Sequence, residues 1–137
     1  MRYSGKMNSV QNGNEIRMID YIVDTNILIL FFAGKLKQPL PKAKLSISII
    51  SEIEILSYTG LTPDEEKHLQ NMLKNFSRFP LTDEIKEQTI AIKKSRKIKL
   101  PDAIICATAA TEQAIFLTND KQFHHLHFLT VQACETK

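Results

Sequence analysis

The chain has 137 residues, of which 43% are hydrophobic and 24% are charged. This length and composition predict one globular domain and exclude a disordered or repeat chain. The longest apolar run, Ile27 to Ala33, has seven residues, far fewer than the ~20 that cross a bilayer, and no secretory signal is evident. Cys106 and Cys134 lie far apart, which argues against a disulfide framework or a zinc ribbon. We therefore expect a soluble, cytoplasmic protein, and its net charge of +3 is too mild to indicate nucleic-acid binding by itself.

The predicted organisation is an extension, a domain and a tail. Residues 1–17 are rich in Ser, Asn, Gln and Gly and show no periodicity, so we predict a flexible N-terminal extension or an added leader. The domain is predicted at residues 18–131 and the tail at 132–137. Cys134 is expected on that tail, which we predict to be mobile.

Within the domain, short β-branched or aromatic runs alternate with longer helical patterns. Strands are predicted at 19–23, 45–47, 78–81, 114–118 and 127–131. Helices are predicted at 26–33, from the N-cap Ser48 to Tyr58, from Thr62 to about Phe76, from Thr82 to Arg96, and at 100–112.

This alternation predicts an α/β fold: a single domain with a mainly parallel central sheet of about five strands and helices on both faces. In such sheets, ligands bind beyond the carboxyl ends of the strands, where the strand order reverses. Acidic residues at those ends are therefore candidate site residues.

Three aspartates meet that description or lie close to it. Asp24 follows the first strand and Asp120 follows the Ala114–Thr118 run, although each taken alone fits a helix cap or a turn. Asp102 begins a helix of small apolar residues, where the helix dipole also favours an acid. Glu52 and Glu54 flank the apolar face of the Ser48 helix on opposite sides, and a helical wheel does not choose between them.

Two basic clusters accompany these acids. The first occupies the loop before the second strand and contains Lys35, Lys37, Lys42 and Lys44. The second directly precedes Asp102 and is the better candidate for contacting a polyanionic substrate; it contains Lys93, Lys94, Arg96, Lys97 and Lys99. Charge runs are usually solvated faces, and His124, His125 and His127 are interpreted as surface residues because they lack metal-site spacing.

Four segments in order resemble the PIN domain, and most closely the VapC-type toxins of bacterial and archaeal toxin–antitoxin pairs. They are Asp24-Thr25-Asn26, Ser48-x-x-Ser51-x-x-Glu54-Ile55-Leu56, Leu100-Pro101-Asp102-Ala103-x-Ile105-x-Ala107-Thr108-Ala109 and Leu117-Thr118-Asn119-Asp120-x-x-Phe123. The resemblance covers residues 19 to about 131. It implies an acidic quartet at Asp24, Glu54, Asp102 and Asp120, which selects Glu54 over Glu52, with Asn26, Ser51 and Thr118 as supporting polar residues.

The implied function is that of a metal-dependent endoribonuclease. An oxygen-only ligand set favours Mg²⁺ or Mn²⁺ over zinc. Our hypothesis is that Asp24, Glu54 and Asp102 hold the principal ion and that Asp120 positions a second ion or the attacking water, while Asn26 and Thr118 orient the acids by hydrogen bonds. The resemblance further implies an RNA substrate, a small VapB-like antitoxin and a homodimer.

Three alternatives remain open from the sequence. The chain would be a solitary RNA-processing nuclease if no antitoxin exists. A catalytically silent PIN-like interaction module has no physical reason to keep four mutually repelling acids. A phosphotransfer or phosphatase domain with Asp24 as nucleophile is the least favoured, because it needs a second Asp where Asn26 stands.

Overall fold

The computed structural model describes residues 9–12, 15–18 and 20–137, with side chains from residue 20 onward. Its strands are β1 Ser9–Asn12, β2 Glu15–Met18, β3 Asp20–Val23, β4 Lys44–Ser48, β5 Ser77–Phe79, β6 Ile115–Leu117 and β7 Thr130–Gln132. Its helices are α1 Thr25–Phe32, α2 Ile49–Leu56, α3 Pro63–Leu73, α4 Asp83–Ser95 and α5 Leu100–Glu112, and a 3-10 turn covers Lys121–Phe123. In the described part of the chain, no helix combines the length and apolar character needed to span a bilayer.

The central sheet confirms the predicted α/β fold. Its five strands are all parallel and stand in the order β5-β4-β3-β6-β7. The chain leaves β3 toward β4 and β5, then returns across the sheet to β6 on the other side of β3. The strand order therefore reverses at the adjacent pair β3 and β6, and the crevice for a ligand lies at their carboxyl ends.

Alternate residues of the strands build a core on each face of this sheet. Ile22 and Phe116 belong to a buried cluster with the apolar side of α5. Tyr21, Val23 and Leu117 belong to a second cluster with residues of α1 and α3. Seven consecutive residues of α5, Ala103–Ala109, are buried, so the first turn of this helix is held at the edge of the core.

The helix starts follow the predicted caps, whereas several ends differ. Ser48, Thr62 and Thr82 each cap a helix through the side-chain oxygen. Helix α3 ends at Leu73, and not near Phe76, because Phe76 turns into the second core ahead of β5. The last strand is Thr130–Gln132 and not residues 127–131, since it starts where its backbone can pair with β6.

The two ends of the chain also differ from expectation. Strands β1 and β2 pair antiparallel, with Ser9 opposite Met18, where the sequence predicted no regular structure; residues 1–8 and 13–14 lie outside the described residues. That residues 1–17 form a separable extension stays a prediction.

Cys134, predicted to lie on a mobile tail, is hydrogen-bonded to the domain through its backbone. Its backbone N–H donates to Asn119 Oδ1 at 2.7 Å, and its carbonyl accepts from Asn119 Nδ2 at 2.9 Å. Two residues later, Thr136 forms a β-bridge with Leu36. The segment after β7 is therefore hydrogen-bonded to the body of the domain, and the absence of apolar periodicity in the sequence hid this.

Candidate active site

Asp24 is the most buried acid of the site, with 6% of its surface exposed. It follows β3 directly and caps α1, its Oδ1 accepting from the Thr25 N–H at 2.8 Å. Its Oδ2 accepts from the Thr118 hydroxyl at 2.6 Å. Burial raises the pKa of Asp24 to about 6, the two hydrogen bonds oppose that rise, and the charges of Asp102 and Asp120 add to it.

Thr118 and Asp120 follow the neighbouring strand β6. The Thr118 side chain is fully buried and its oxygen, besides donating to Asp24, accepts from the Asp120 N–H at 3.0 Å. The Asp120 carboxylate accepts from Gln122 twice, from its backbone N–H at 3.1 Å and from its side-chain amide at 2.7 Å. One hydroxyl thus links the carboxyl ends of β3 and β6, as the strand order requires.

Asp102 approaches the same place from helix α5. It lies in the first turn, directly after Pro101, and is partly buried. Burial and the charge of Asp120 raise its pKa, whereas the charge of Lys99 and a hydrogen bond from the Gln122 side chain lower it. Asp24, Asp102 and Asp120 therefore lie within electrostatic reach of one another, on three different elements.

Glu54 is joined to this group through Thr25. The Thr25 hydroxyl lies 2.8 Å from Glu54 Oε1, to which it donates, and 2.8 Å from Ser51 Oγ. Ser51 is fully buried and Glu54 is exposed. Glu52 points elsewhere, since both of its carboxylate oxygens accept from Arg78 Nη1 at 2.6 and 2.8 Å. Of the two glutamates, Glu54 is the one on the side of Asp24.

The hydrogen bond predicted from Asn26 to the acids is not formed among the described residues. Asn26 is exposed in the first turn of α1. Thr25 makes the contacts instead, with its N–H to Asp24 and its hydroxyl to Glu54. The sequence analysis missed two polar residues. Thr25 stands inside the Asp24-Thr25-Asn26 motif, which was the available signal, whereas nothing in the sequence pointed to Gln122.

The second basic cluster, defined by Lys93, Lys94, Arg96, Lys97 and Lys99, is exposed throughout. Within this cluster, Lys99 is the residue whose charge lowers the pKa of Asp102. The Lys93 ammonium donates to the Ile98 carbonyl at 2.9 Å. In the first cluster, Lys44 begins β4 at the amino end of the strand, which is the sheet edge away from Asp24.

The donor set suits a hard divalent cation. The converging groups offer only carboxylate, hydroxyl and amide oxygens, and burial, together with the repulsion among the carboxylates, raises the pKa of Asp24 and of Asp102. Among the described side chains, no three His, Cys, Asp or Glu residues lie close enough to bind one ion directly. Because Mg²⁺ keeps several waters and takes only one or two protein carboxylates, these residues fit a magnesium ion held partly through water.

Comparison with known proteins agrees with this architecture. The PIN domain family model matches residues 21–129. No curated protein sequence matches the chain significantly.

Among solved structures, the chain is similar to one from a toxin–antitoxin complex of Klebsiella pneumoniae, with 29% identity and a TM-score of 0.68, covering 80% of this chain and 95% of that one. It shares the fold of VapBC-1 from nontypeable Haemophilus influenzae, with 21% identity, a TM-score of 0.70 and coverage of 84% and 98%. It also shares the fold of DNA-bound VapBC from Salmonella typhimurium, with 15% identity, a TM-score of 0.70 and coverage of 85% and 98%. The predicted resemblance to PIN domains of VapC type is thereby confirmed. The chain belongs to the PIN domain family.

Proposed function

We propose that this chain is the toxin of a VapBC-type toxin–antitoxin pair and acts as a Mg²⁺-dependent endoribonuclease. Membership in the PIN family supports a nuclease. The similarity to a chain of the Klebsiella pneumoniae toxin–antitoxin complex supports the toxin role. The observation that carries the proposal is the buried Asp24, whose pKa is raised by burial and by two further acids at the crevice between β3 and β6.

Such a cluster is costly unless it binds a cation. Two carboxylates ~5 Å apart repel by roughly 3 kcal/mol at an effective dielectric constant of 20, a notable fraction of the ~5–15 kcal/mol that stabilises a domain. A protein that keeps Asp24, Asp102 and Asp120 together therefore gains from a dication that neutralises them. The repulsion among these acids favours a metal-binding site over a silent interaction surface.

In this proposal, Asp24, Asp102 and Glu54 hold the principal Mg²⁺, or Mn²⁺ in its place, directly or through water. A bound Mg²⁺ neutralises charge on the phosphoryl oxygens and lowers the pKa of a bound water. Asp120 positions a second ion or the attacking water. Thr118 orients Asp24, and Ser51 together with Thr25 orients Glu54.

The proposed substrate contact is the second basic cluster: Lys93, Lys94, Arg96, Lys97 and Lys99. Its exposed side chains lead along the chain to Asp102, so a phosphodiester backbone bound there would run toward the acids. Phosphate contacts release counterions, and RNA affinity should therefore fall steeply with salt. We also propose a VapB-like antitoxin and a homodimer, and a cytoplasmic location, which suits an RNA substrate and two free thiols.

The test is incubation of the purified chain with total RNA, with Mg²⁺ and with EDTA. We expect cleavage with Mg²⁺, none with EDTA, and none for Asp24→Asn. Glu54→Gln and Glu52→Gln form a matched pair that refines the test. Both residues lie on α2, but the Glu52 carboxylate forms an ion pair with Arg78 and does not face Asp24. Glu54→Gln should lower the rate by on the order of a hundredfold and Glu52→Gln should leave it unchanged. Cleavage that persists in EDTA or in Asp24→Asn would refute the proposal.

A further inference from the structure

The turn that carries Asp120 is tied to the end of the chain. Asn119 lies between Thr118 and Asp120, and its amide group makes two hydrogen bonds to the backbone of Cys134: Nδ2 donates to the carbonyl at 2.9 Å, and Oδ1 accepts from the N–H at 2.7 Å. Neither bond involves an acid of the site. The Asn119 side chain therefore binds the Cys134 backbone, whereas the side chains of Thr118 and Asp120 belong to the acid site.

These bonds continue the pairing of β6 with β7. Leu117 is in register with Gln132, and the Thr118 N–H donates to the Gln132 carbonyl at 2.9 Å. One residue further, β6 has ended, and the side-chain amide of Asn119 takes the place of a backbone peptide opposite Cys134. Asn and Gln are the side chains that carry an amide group, with a donor and an acceptor placed as in a backbone peptide.

Residues 133–137 form the C-terminal segment. The part of this segment that follows Cys134 is hydrogen-bonded to the loop after α1. The Lys37 N–H donates to the Glu135 carbonyl at 3.0 Å, and the Lys137 N–H donates to the Lys35 carbonyl at 2.9 Å. Leu36, between the two lysines, is 9% exposed and packs in the second core. The C-terminal segment thus joins the end of β6 to the end of α1, the helix that Asp24 caps.

We propose that Asn119 is a positioning residue: by holding the Cys134 backbone, it fixes the turn that presents the Asp120 carboxylate. The inference rests on the proposed function in that Asp120 serves a metal site. Asp120 lies beyond the last pair of β6, and its own N–H reaches only the Thr118 hydroxyl. His124 Nε2 also contacts the turn, at 3.2 Å from the Thr118 carbonyl oxygen, but among the described contacts it is the Asn119 side chain that joins the turn to the C-terminal segment.

The principal test is Asn119→Ala in the full chain, studied well below its unfolding temperature. We expect faster amide hydrogen exchange at Asp120, Gln122 and Cys134, and a Mn²⁺ dissociation constant raised by on the order of tenfold in calorimetry, as for residues that orient metal ligands. The Mg²⁺ concentration for half-maximal RNA cleavage should rise equally, with the maximal rate at saturating Mg²⁺ changed much less. A residue that only stabilised the fold would lower the melting temperature without this split.

Two further variants complete the experiment. Truncation after Gln132 removes the partner of Asn119 and should weaken Mn²⁺ binding similarly, and the two changes together should be no worse than the truncation alone. Glu135→Gln removes only an exposed ion pair of 3.9 Å with Lys37 and should change nothing. Unaltered exchange at Asp120, or unaltered Mn²⁺ affinity, in a folded Asn119→Ala protein would overturn the inference. If the unmodified chain binds Mn²⁺ but cleaves no RNA, the proposed function fails while the Mn²⁺ affinities still decide the role of Asn119.

Discussion

Replacing Asp24 by Asn should stabilise the metal-free protein while removing its activity. Burial lifts the pKa of this carboxyl from 3.8 to about 6. At about 1.4 kcal/mol per pKa unit, keeping Asp24 ionised costs the folded state about 3 kcal/mol at neutral pH. Asparagine carries no charge and its oxygen still accepts from the Thr25 N–H, but its NH₂ group faces the Thr118 oxygen, a mismatch that costs about 1 kcal/mol.

The sign of the pH dependence follows from the raised pKa. The folded state holds the Asp24 proton more tightly than the unfolded state, so the free energy of unfolding falls as pH rises from about 4 to about 6 and levels off above that. Roughly half of the 3 kcal/mol is lost between pH 5 and pH 8. The difference between wild type and Asp24→Asn reports this contribution together with the electrostatic coupling of Asp24 to Asp102 and Asp120.

The assay is thermal and urea unfolding of both proteins in EDTA at pH 5 and pH 8. At pH 8 the variant should be more stable by about 2 kcal/mol, which corresponds to roughly 5–10 °C in melting temperature, and its advantage should shrink at pH 5. Glu87→Gln, an exposed carboxylate on α4, is the control and should match wild type. A variant that is less stable than wild type at pH 8, or whose difference from wild type does not change with pH, would refute the reasoning.

Three further outcomes follow from the same contacts. Millimolar Mg²⁺ should raise the melting temperature of wild type but not that of Asp24→Asn, since a bound ion stabilises only the folded state; equal shifts would contradict the site. Thr118→Val removes the donor to Asp24 and the acceptor for the Asp120 N–H, so the free energy of unfolding measured in urea should fall by about 1–3 kcal/mol. An NMR titration should place the Asp24 pKa above 6, and an unchanged titration would contradict the hydrogen bond from Thr118 to Asp24. Burial raises the pKa of the Cys106 thiol to about 12, so iodoacetamide should label Cys134 and spare Cys106 in the native protein, as mass spectrometry would show; labelled Cys106 would contradict its burial.

The parallel sheet was predictable because its signals are local. A few consecutive residues are enough to predict the strand β3, the apolar helix α5 and the helix caps Ser48 and Thr82. The C-terminal segment was not predictable in this way. It is held by the side chain of Asn119, fifteen positions away from Cys134, and a long-range backbone contact of this kind leaves no periodic pattern.

The candidate site was predictable in its acids and less so in its connections. Asp24 and Asp120 follow strands, and parallel strands bring such residues to one edge. The choice of Glu54 over Glu52 came from family resemblance alone, because the deciding contacts, with Thr25 and with Arg78, join different elements. Asn26 was expected to orient an acid, but the direction of its side chain depends on how α1 packs, which the residue type alone does not determine.

The most direct test of the central claim is crystallography of the protein soaked in Mn²⁺, with anomalous difference maps recorded above and below the manganese absorption edge. We expect a manganese peak at the carboxyl ends of β3 and β6, bound by Asp24 together with Asp102 or Asp120, and no peak there in Asp24→Asn crystals. A map without manganese between these acids at saturating Mn²⁺, or with the ion bound elsewhere, would contradict the claim.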